Sequence, residues 1–107
     1  MLYIGQDRRK GPIMAKITSS TLTYAHVRGA RGFLKLTMKE LAQVAGSPVT
    51  HSVVRNLENG LGASTAAKTR LIEYFESAGI RLTNGGKPGV NVYDSKLYEH
   101  TLKGLKI

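Results

Sequence analysis

The chain contains no cysteine. A disulfide framework and a thiolate metal site are therefore excluded, and the composition suits a reducing compartment without requiring one. No apolar run approaches the ~20 residues of a membrane-spanning helix. The opening Met1-Leu2-Tyr3-Ile4 is too short for the core of a secretory signal, and it runs at once into Asp7-Arg8-Arg9-Lys10. The expectation is a soluble protein, cytoplasmic and nucleoid-associated. Acidic residues are scarce where basic ones gather: residues 1 to 39 hold eight Lys or Arg against Asp7 alone. No internal repeat and no low-complexity tract is present.

Catalytic patterns are missing as well. His26, His51 and His100 fall on different predicted elements, and no pair of them has metal-ligand spacing. Glu73 and Glu76 make an ordinary exposed helix pair. Asn84-Gly85-Gly86 is glycine-rich but lies between two predicted strands, whereas a phosphate cradle sits between a strand and a helix. The expectation is a protein that is not an enzyme and uses no metal and no cofactor.

What is present is a 107-residue chain, 41% hydrophobic, with a formal net charge of +9. That length supports one modest core. The charge points to a polyanionic partner, nucleic acid before membrane. Residues 1–20 read as a basic arm, with Gly11-Pro12 and a hydroxyl cluster from Thr18 to Thr21; Met14 is an alternative start. Arg8, Arg9 and Lys10 are candidates for tracking a groove or the backbone of a duplex, or else form a solubilising tail.

Residues 21–79 read as four helices. The first runs from about Leu22 to Leu34, capped by Ser20 or Thr21, with Val27, Ala30, Arg31 and Leu34 on one side. The second spans Met38 to Ala45: Thr37 and Glu40 form a capping box, and Gly46 stops it. The third carries Val49, Val53, Val54 and Leu57 on one face and ends near Asn59-Gly60. The fourth opens at Ser64 or Thr65, presents Ala67, Leu71, Ile72 and Phe75, and stops at Gly79. Residues 80–107 change period. Ile80-Arg81-Leu82 and Val90-Asn91-Val92-Tyr93 alternate around turn chemistry, which predicts a β-hairpin. Asp94 or Ser95 then caps a short terminal helix with Leu97, Tyr98, Leu102 and Leu105 on its apolar side.

The second and third helices around their tight turn have the form of a helix-turn-helix. Ala30-Arg31, Leu36-Thr37-x-x-Glu40-Leu41-Ala42, Ala45-Gly46 and Leu57-Glu58-Asn59-Gly60 resemble the Cro/repressor-like (XRE) family of DNA-binding regulators. The tail Ala78 to Val90 is similar to a hairpin that follows the fourth helix in many bacterial members. The resemblance covers roughly residues 22–93. It implies a mainly α, four-to-five-helix, lambda-repressor-like domain with a C-terminal hairpin and short helix. It also implies double-stranded DNA as partner and a sequence-specific regulator, a repressor in the first instance, acting as a homodimer. Antitoxins and adaptors use the same scaffold and are the alternative, together with a non-specific nucleic-acid binder.

One departure from the family pattern is Ser47-Pro48, two extra residues in the turn. Either Thr50 caps the third helix, or Ser47 caps it with Pro48 at the first helical position, where the missing N–H costs nothing. The Ser-Pro pair favours the second. Under both, the polar face holds His51, Ser52, Arg55 and Asn56. The resemblance places base contacts there, and Arg55 is the type best able to bond guanine twice. Phosphate contacts fall on Lys35, Thr37, Met38, Lys39, Thr50 and Asn59, through side chains and the open N–H groups of helix starts. The alternative is a solvated helix face. Arg31 and Glu58 are expected as a structural ion pair tying the first helix to the third. The hairpin edge and Leu97, Tyr98, Leu102 and Leu105 are candidates for the dimer surface, unless they fold back onto the fourth helix. Lys96, Lys103 and Lys106 belong to a solvated face.

Overall fold

Helix starts in this chain are set by side-chain caps, and the caps that win are not always the first available. In a computed structural model, residues 17–105 are described. Arg8, Arg9, Lys10 and Lys106 lie outside them. The elements are a single 3-10 turn (Ser19–Thr21), α1 (Tyr24–Leu34), α2 (Met38–Ala45), α3 (His51–Glu58), α4 (Thr65–Ser77), β1 (Ile80–Asn84), β2 (Pro88–Val92) and α5 (Ser95–Leu105). The protein is mainly helical, with a two-stranded antiparallel hairpin. No helix among the described residues is long and apolar enough to cross a membrane.

The first helix starts later than the hydroxyl cluster suggests. Thr18, Ser20 and Thr21 bond to one another, Thr21 Oγ1 donating to Thr18 O at 3.1 Å, and so close a turn of their own. Thr23 is the N-cap instead. Its Oγ1 accepts the His26 N–H at 3.4 Å, and its own N–H donates to His26 Nδ1 at 3.0 Å. The arm also ends earlier than position 20, because Ile17 is buried and its N–H donates to Leu82 O.

α2 and α4 begin and end where their caps and glycines place them, at Thr37 and Gly46 and at Ser64 and Gly79. α3 does not begin at Pro48. Thr50 Oγ1 accepts the Val53 N–H at 3.2 Å, and Ser47-Pro48 lies in the turn, with Val49 N–H donating to Gly46 O. Val49 is buried, so the turn is anchored by a side chain in the core rather than absorbed into the helix.

The core joins Val27, Ala30 and Leu34 of α1 with Leu41 and Ala45 of α2, Val54 and Leu57 of α3, Leu71 and Phe75 of α4 and Ile80 and Leu82 of β1. In the hairpin Ile80 lies opposite Val92 and Asn84 opposite Pro88, leaving a three-residue loop shorter than the glycine-rich stretch suggests. α1 crosses β2 closely: a Cβ on Gly29 would stand 3.0 Å from Val90 Cγ2. A glycine inside a helix costs about 1 kcal/mol relative to alanine, and here the close helix–strand approach requires one.

α5 is capped by Asp94, whose Oδ1 accepts the Lys96 and Leu97 N–H groups at 3.1 Å. It does not return to α4. Leu102 and Leu105 are half-buried and line a groove with Leu34, Leu36 and Val44, on the α1–α2 side. Tyr98 donates to Phe33 O at 2.6 Å and meets the Phe33 ring edge to face. Leu97, expected on the apolar side, is 38% exposed.

Candidate nucleic-acid interface

The first turn of α2 is built by a reciprocal box. Thr37 Oγ1 accepts the Glu40 N–H at 3.1 Å, and Glu40 Oε1 accepts the Thr37 N–H at 2.9 Å. The Met38 and Lys39 N–H groups, first and second in the helix, are left without intrahelical acceptors and are open to an anion. Lys35, Thr37 and Lys39 are exposed at this corner, while Met38 packs its side chain against the core. Any anion contact at position 38 is therefore limited to its main chain. Lys35 itself holds a left-handed conformation, φ +57°, as the C-cap of α1.

In α3, two sides separate at helical spacing. Val54, Leu57 and Glu58 are buried and Val53 is half-buried, whereas His51, Ser52, Arg55 and Asn59 are exposed along the opposite side. Thr50 stands exposed at the tip. Asn56 is half-buried, and its carbonyl accepts the Leu61 N–H at 2.8 Å. Of the four residues assigned to base contact, three are free to meet a partner and Asn56 is partly withdrawn.

The buried end of this helix is fixed by charge. The Glu58 side chain is fully buried, and Arg31 clamps it with two bonds, Nε to Oε2 at 2.6 Å and Nη2 to Oε1 at 2.8 Å. Arg31 Nη1 spends its remaining reach on Leu36 O at 3.0 Å, in the link before α2. The hydrogen bond to Glu58 raises the Arg31 pKa above its ordinary value; desolvation opposes the shift and attraction to the same carboxylate adds to it. One guanidinium thus holds α1, the start of α2 and the end of α3 in fixed relation.

Two residues of this framework went unrecognised in the sequence. Arg28 adds a second cation: its Nη2 donates to Glu58 O at 3.2 Å and its Nε lies 3.5 Å from Glu58 Oε1, with the guanidinium over the Tyr24 ring. A spacing of three residues before Arg31 was its signal. His26 is buried and bonds Thr83 O at 2.7 Å through Nε2. Because a carbonyl can only accept, Nε2 carries a proton, while Nδ1 accepts from Thr23. Its position on the same stripe as Ala30 and Leu34 marked it as an interior histidine. Among the described residues, no group of three His, Cys, Asp or Glu stands close enough to hold a metal ion.

No family profile, curated protein or solved structure matches this chain.

Proposed function

We propose that this protein is a sequence-specific, double-stranded DNA-binding transcription regulator with a Cro/repressor-like domain, acting as a repressor. The supporting observation is the exposed stripe His51-Ser52-Arg55 on a capped helix whose reverse side is locked to α1 by the buried Glu58. α3 enters the major groove. Its first turn and Arg55 meet base edges, and Lys35, Lys39 and the open N–H groups of α2 meet phosphates. The net charge of +9 supplies the sequence-independent attraction.

Selection of bound duplexes from a random library at physiological salt tests this reading. The expected product is an enriched inverted repeat with half-sites about 34 Å apart; a flat pool overturns it. On the selected site, Arg55→Ala is expected to lose ~1 to 3 kcal/mol and to relax preference at one base pair. Lys39→Ala is expected to weaken all sequences alike and to reduce the salt slope by about 1. Equal effects of both substitutions on selected and random duplexes would leave only charge-driven binding.

An inverted repeat needs two copies, and the hairpin offers the edge that joins them. Tyr93 N–H donates to Gly79 O at 2.9 Å, continuing the ladder in which Ile80 faces Val92. That phase turns the main-chain groups of Gly89 and Asn91 towards β1 and those of Val90 and Val92 away from it. The outer edge of β1 is covered by Ile17 at Leu82 O, whereas Val90 and Val92 have no outward partner among the described residues. Antiparallel pairing of two β2 edges satisfies them. Val92→Pro removes one outward N–H and no bond to β1. It is expected to weaken dimerisation at least about tenfold relative to Val92→Ala, with unchanged far-ultraviolet circular dichroism. Sedimentation equilibrium checks this, and equal dimerisation of the two variants would move the interface off this edge.

A further inference from the structure

The outer edge of β2 is short, and both of its ends are closed by chemistry. Pro88 falls in the same phase as Val90 and Val92 but has no N–H to offer. At the other end Asp94 is already engaged: its N–H donates to Gly79 O at 3.3 Å, and its carbonyl accepts the Tyr98 N–H at 3.0 Å. Complete outward sets of N–H and C=O therefore remain at Val90 and Val92, which lie symmetrically about Asn91. Side chains alternate along the same stretch. Val90 touches α1 at Gly29 and Val92 stands opposite the buried Ile80, so both valines face inwards, each still half-exposed. Asn91 and its neighbour Arg81 are exposed on the other face. The Arg81 guanidinium is drawn aside, 4.3 Å over the Tyr93 ring.

We infer that two copies of this chain pair about a two-fold axis that passes between their Asn91 residues, and that Asn91 sets the register; the inference rests on the dimeric reading above. In this register Val90 lies opposite Val92 of the second copy, and the two exchange both main-chain bonds. Every outward N–H and C=O of the two valines is then satisfied. The neighbouring registers do worse. Centring on Val90 sets Pro88 opposite Val92, whose carbonyl loses its donor, and centring on Val92 sets Val90 opposite the engaged Asp94. On the inner face each Val90 meets Val92 of the second copy, a β-branched pair that covers the half left open. On the outer face Asn91 meets itself, in the closer kind of antiparallel pair with Cα atoms about 4.5 Å apart. A residue on such an axis faces its own charge. In a chain of net charge +9 this position is neutral, and its amide carries both a donor and an acceptor, so it is its own complement.

The absence of cysteine makes the test direct, because a single introduced thiol can pair only with its own copy. The full chain carrying Asn91→Cys is expected to form a disulfide-linked dimer under mild oxidation, since Cα atoms about 4.5 Å apart suit a disulfide. Lys87→Cys, exposed in the hairpin loop and about eight strand residues from its own copy in this register, is expected to stay unlinked. A charge swap reads the same axis without a covalent bond. Asn91→Asp alone and Asn91→Lys alone are each expected to weaken dimerisation about fivefold in sedimentation equilibrium, and an equimolar mixture of the two to recover it as a heterodimer. Linking of Asn91→Cys no faster than that of Lys87→Cys, or a mixture no tighter than its components, would overturn the assignment. An inverted repeat selected from random duplexes in that event keeps the DNA reading and moves the pairing surface elsewhere. A flat pool beside rapid linking of Asn91→Cys strikes the DNA reading and leaves the axis in place.

Discussion

Arg31→Ala is expected to cost about 3 kcal/mol or more of folding stability. The substitution leaves the Glu58 carboxylate fully buried and deprived of its two shortest bonds, 2.6 and 2.8 Å. Arg28 cannot take over. Its side chain is 58% exposed and its closest approach to the carboxylate is 3.5 Å, so it supplies a weak, solvent-screened attraction. Leu36 O loses its donor as well. A domain of this size has a total stability of roughly 5–15 kcal/mol. The lost pair is therefore a large share of it, and Tm is expected to fall by roughly 12–24 °C. Urea unfolding followed by circular dichroism measures the effect, and a loss below about 1 kcal/mol would show that Glu58 finds water or a new partner. The double variant Arg31→Met with Glu58→Leu separates the pair from its packing. Replacing both charges by apolar groups removes the desolvation cost on each side, so the double variant is expected to be more stable than Arg31→Ala alone. Arg28→Ala is expected to lose only ~0.5 to 1 kcal/mol.

Where local chemistry had one answer, the fold was readable from residues alone. α2 is the clearest case: Thr37 and Glu40 can cap each other and nothing else nearby competes, so both ends follow from these two residues and Gly46. α4 behaves the same way, whereas the hairpin was readable as a hairpin but not in its ends, because its strands continue through Asn84 and from Pro88 into the stretch that reads as turn. The start of α1 offered several hydroxyls in succession. The choice of Thr23 depends on His26, whose place is set by a carbonyl 57 residues further on. No local pattern contains that contact. At the turn before α3, Ser47 and Thr50 were both competent caps, and the burial of Val49 between them decides in favour of Thr50. For α5, spacing showed an apolar side but not what it would lie against. The answer depends on a left-handed residue at the end of α4 and on a tyrosine that reaches α1. The candidate site was legible in its exposed residues, because polar side chains opposite an apolar stripe have only one place to go. It was less legible at Met38 and Asn56, which sit at the margin between the two sides.

Gly79→Ala is expected to release α5 from the rest of the protein, with a loss of about 3 kcal/mol, of which only a part is conformational. Gly79 has φ +82°, a region that costs a residue with a Cβ roughly 1–2 kcal/mol. The rest is collision. A Cβ there would overlap Asp94 O, would stand 2.8 Å from Tyr98 N and 3.1 Å from Leu97 Cβ, and two of these three are backbone of the first turn of α5. Rigid backbone cannot move aside as the end of a flexible side chain does, so the helix must shift as a unit. The same shift breaks the bonds that hold it, since Gly79 O accepts from both Tyr93 N–H and Asp94 N–H at 2.9 and 3.3 Å. With the helix displaced, Tyr98 is drawn from Phe33 O and the groove along Leu34, Leu36 and Val44 loses its second wall. Gly86→Ala is the control, because Gly86 has a similar φ of +94° but nothing within 4 Å of the added atom. It is expected to cost only the conformational part, about 1–2 kcal/mol. Native-state hydrogen exchange reads the difference directly: in Gly79→Ala the amides of α5 lose protection while those of α1 to α4 keep theirs, and in Gly86→Ala no such division arises. Equal losses in the two variants, with α5 still protected, would mean that the helix finds another seat and that its position does not depend on the absence of a side chain at residue 79.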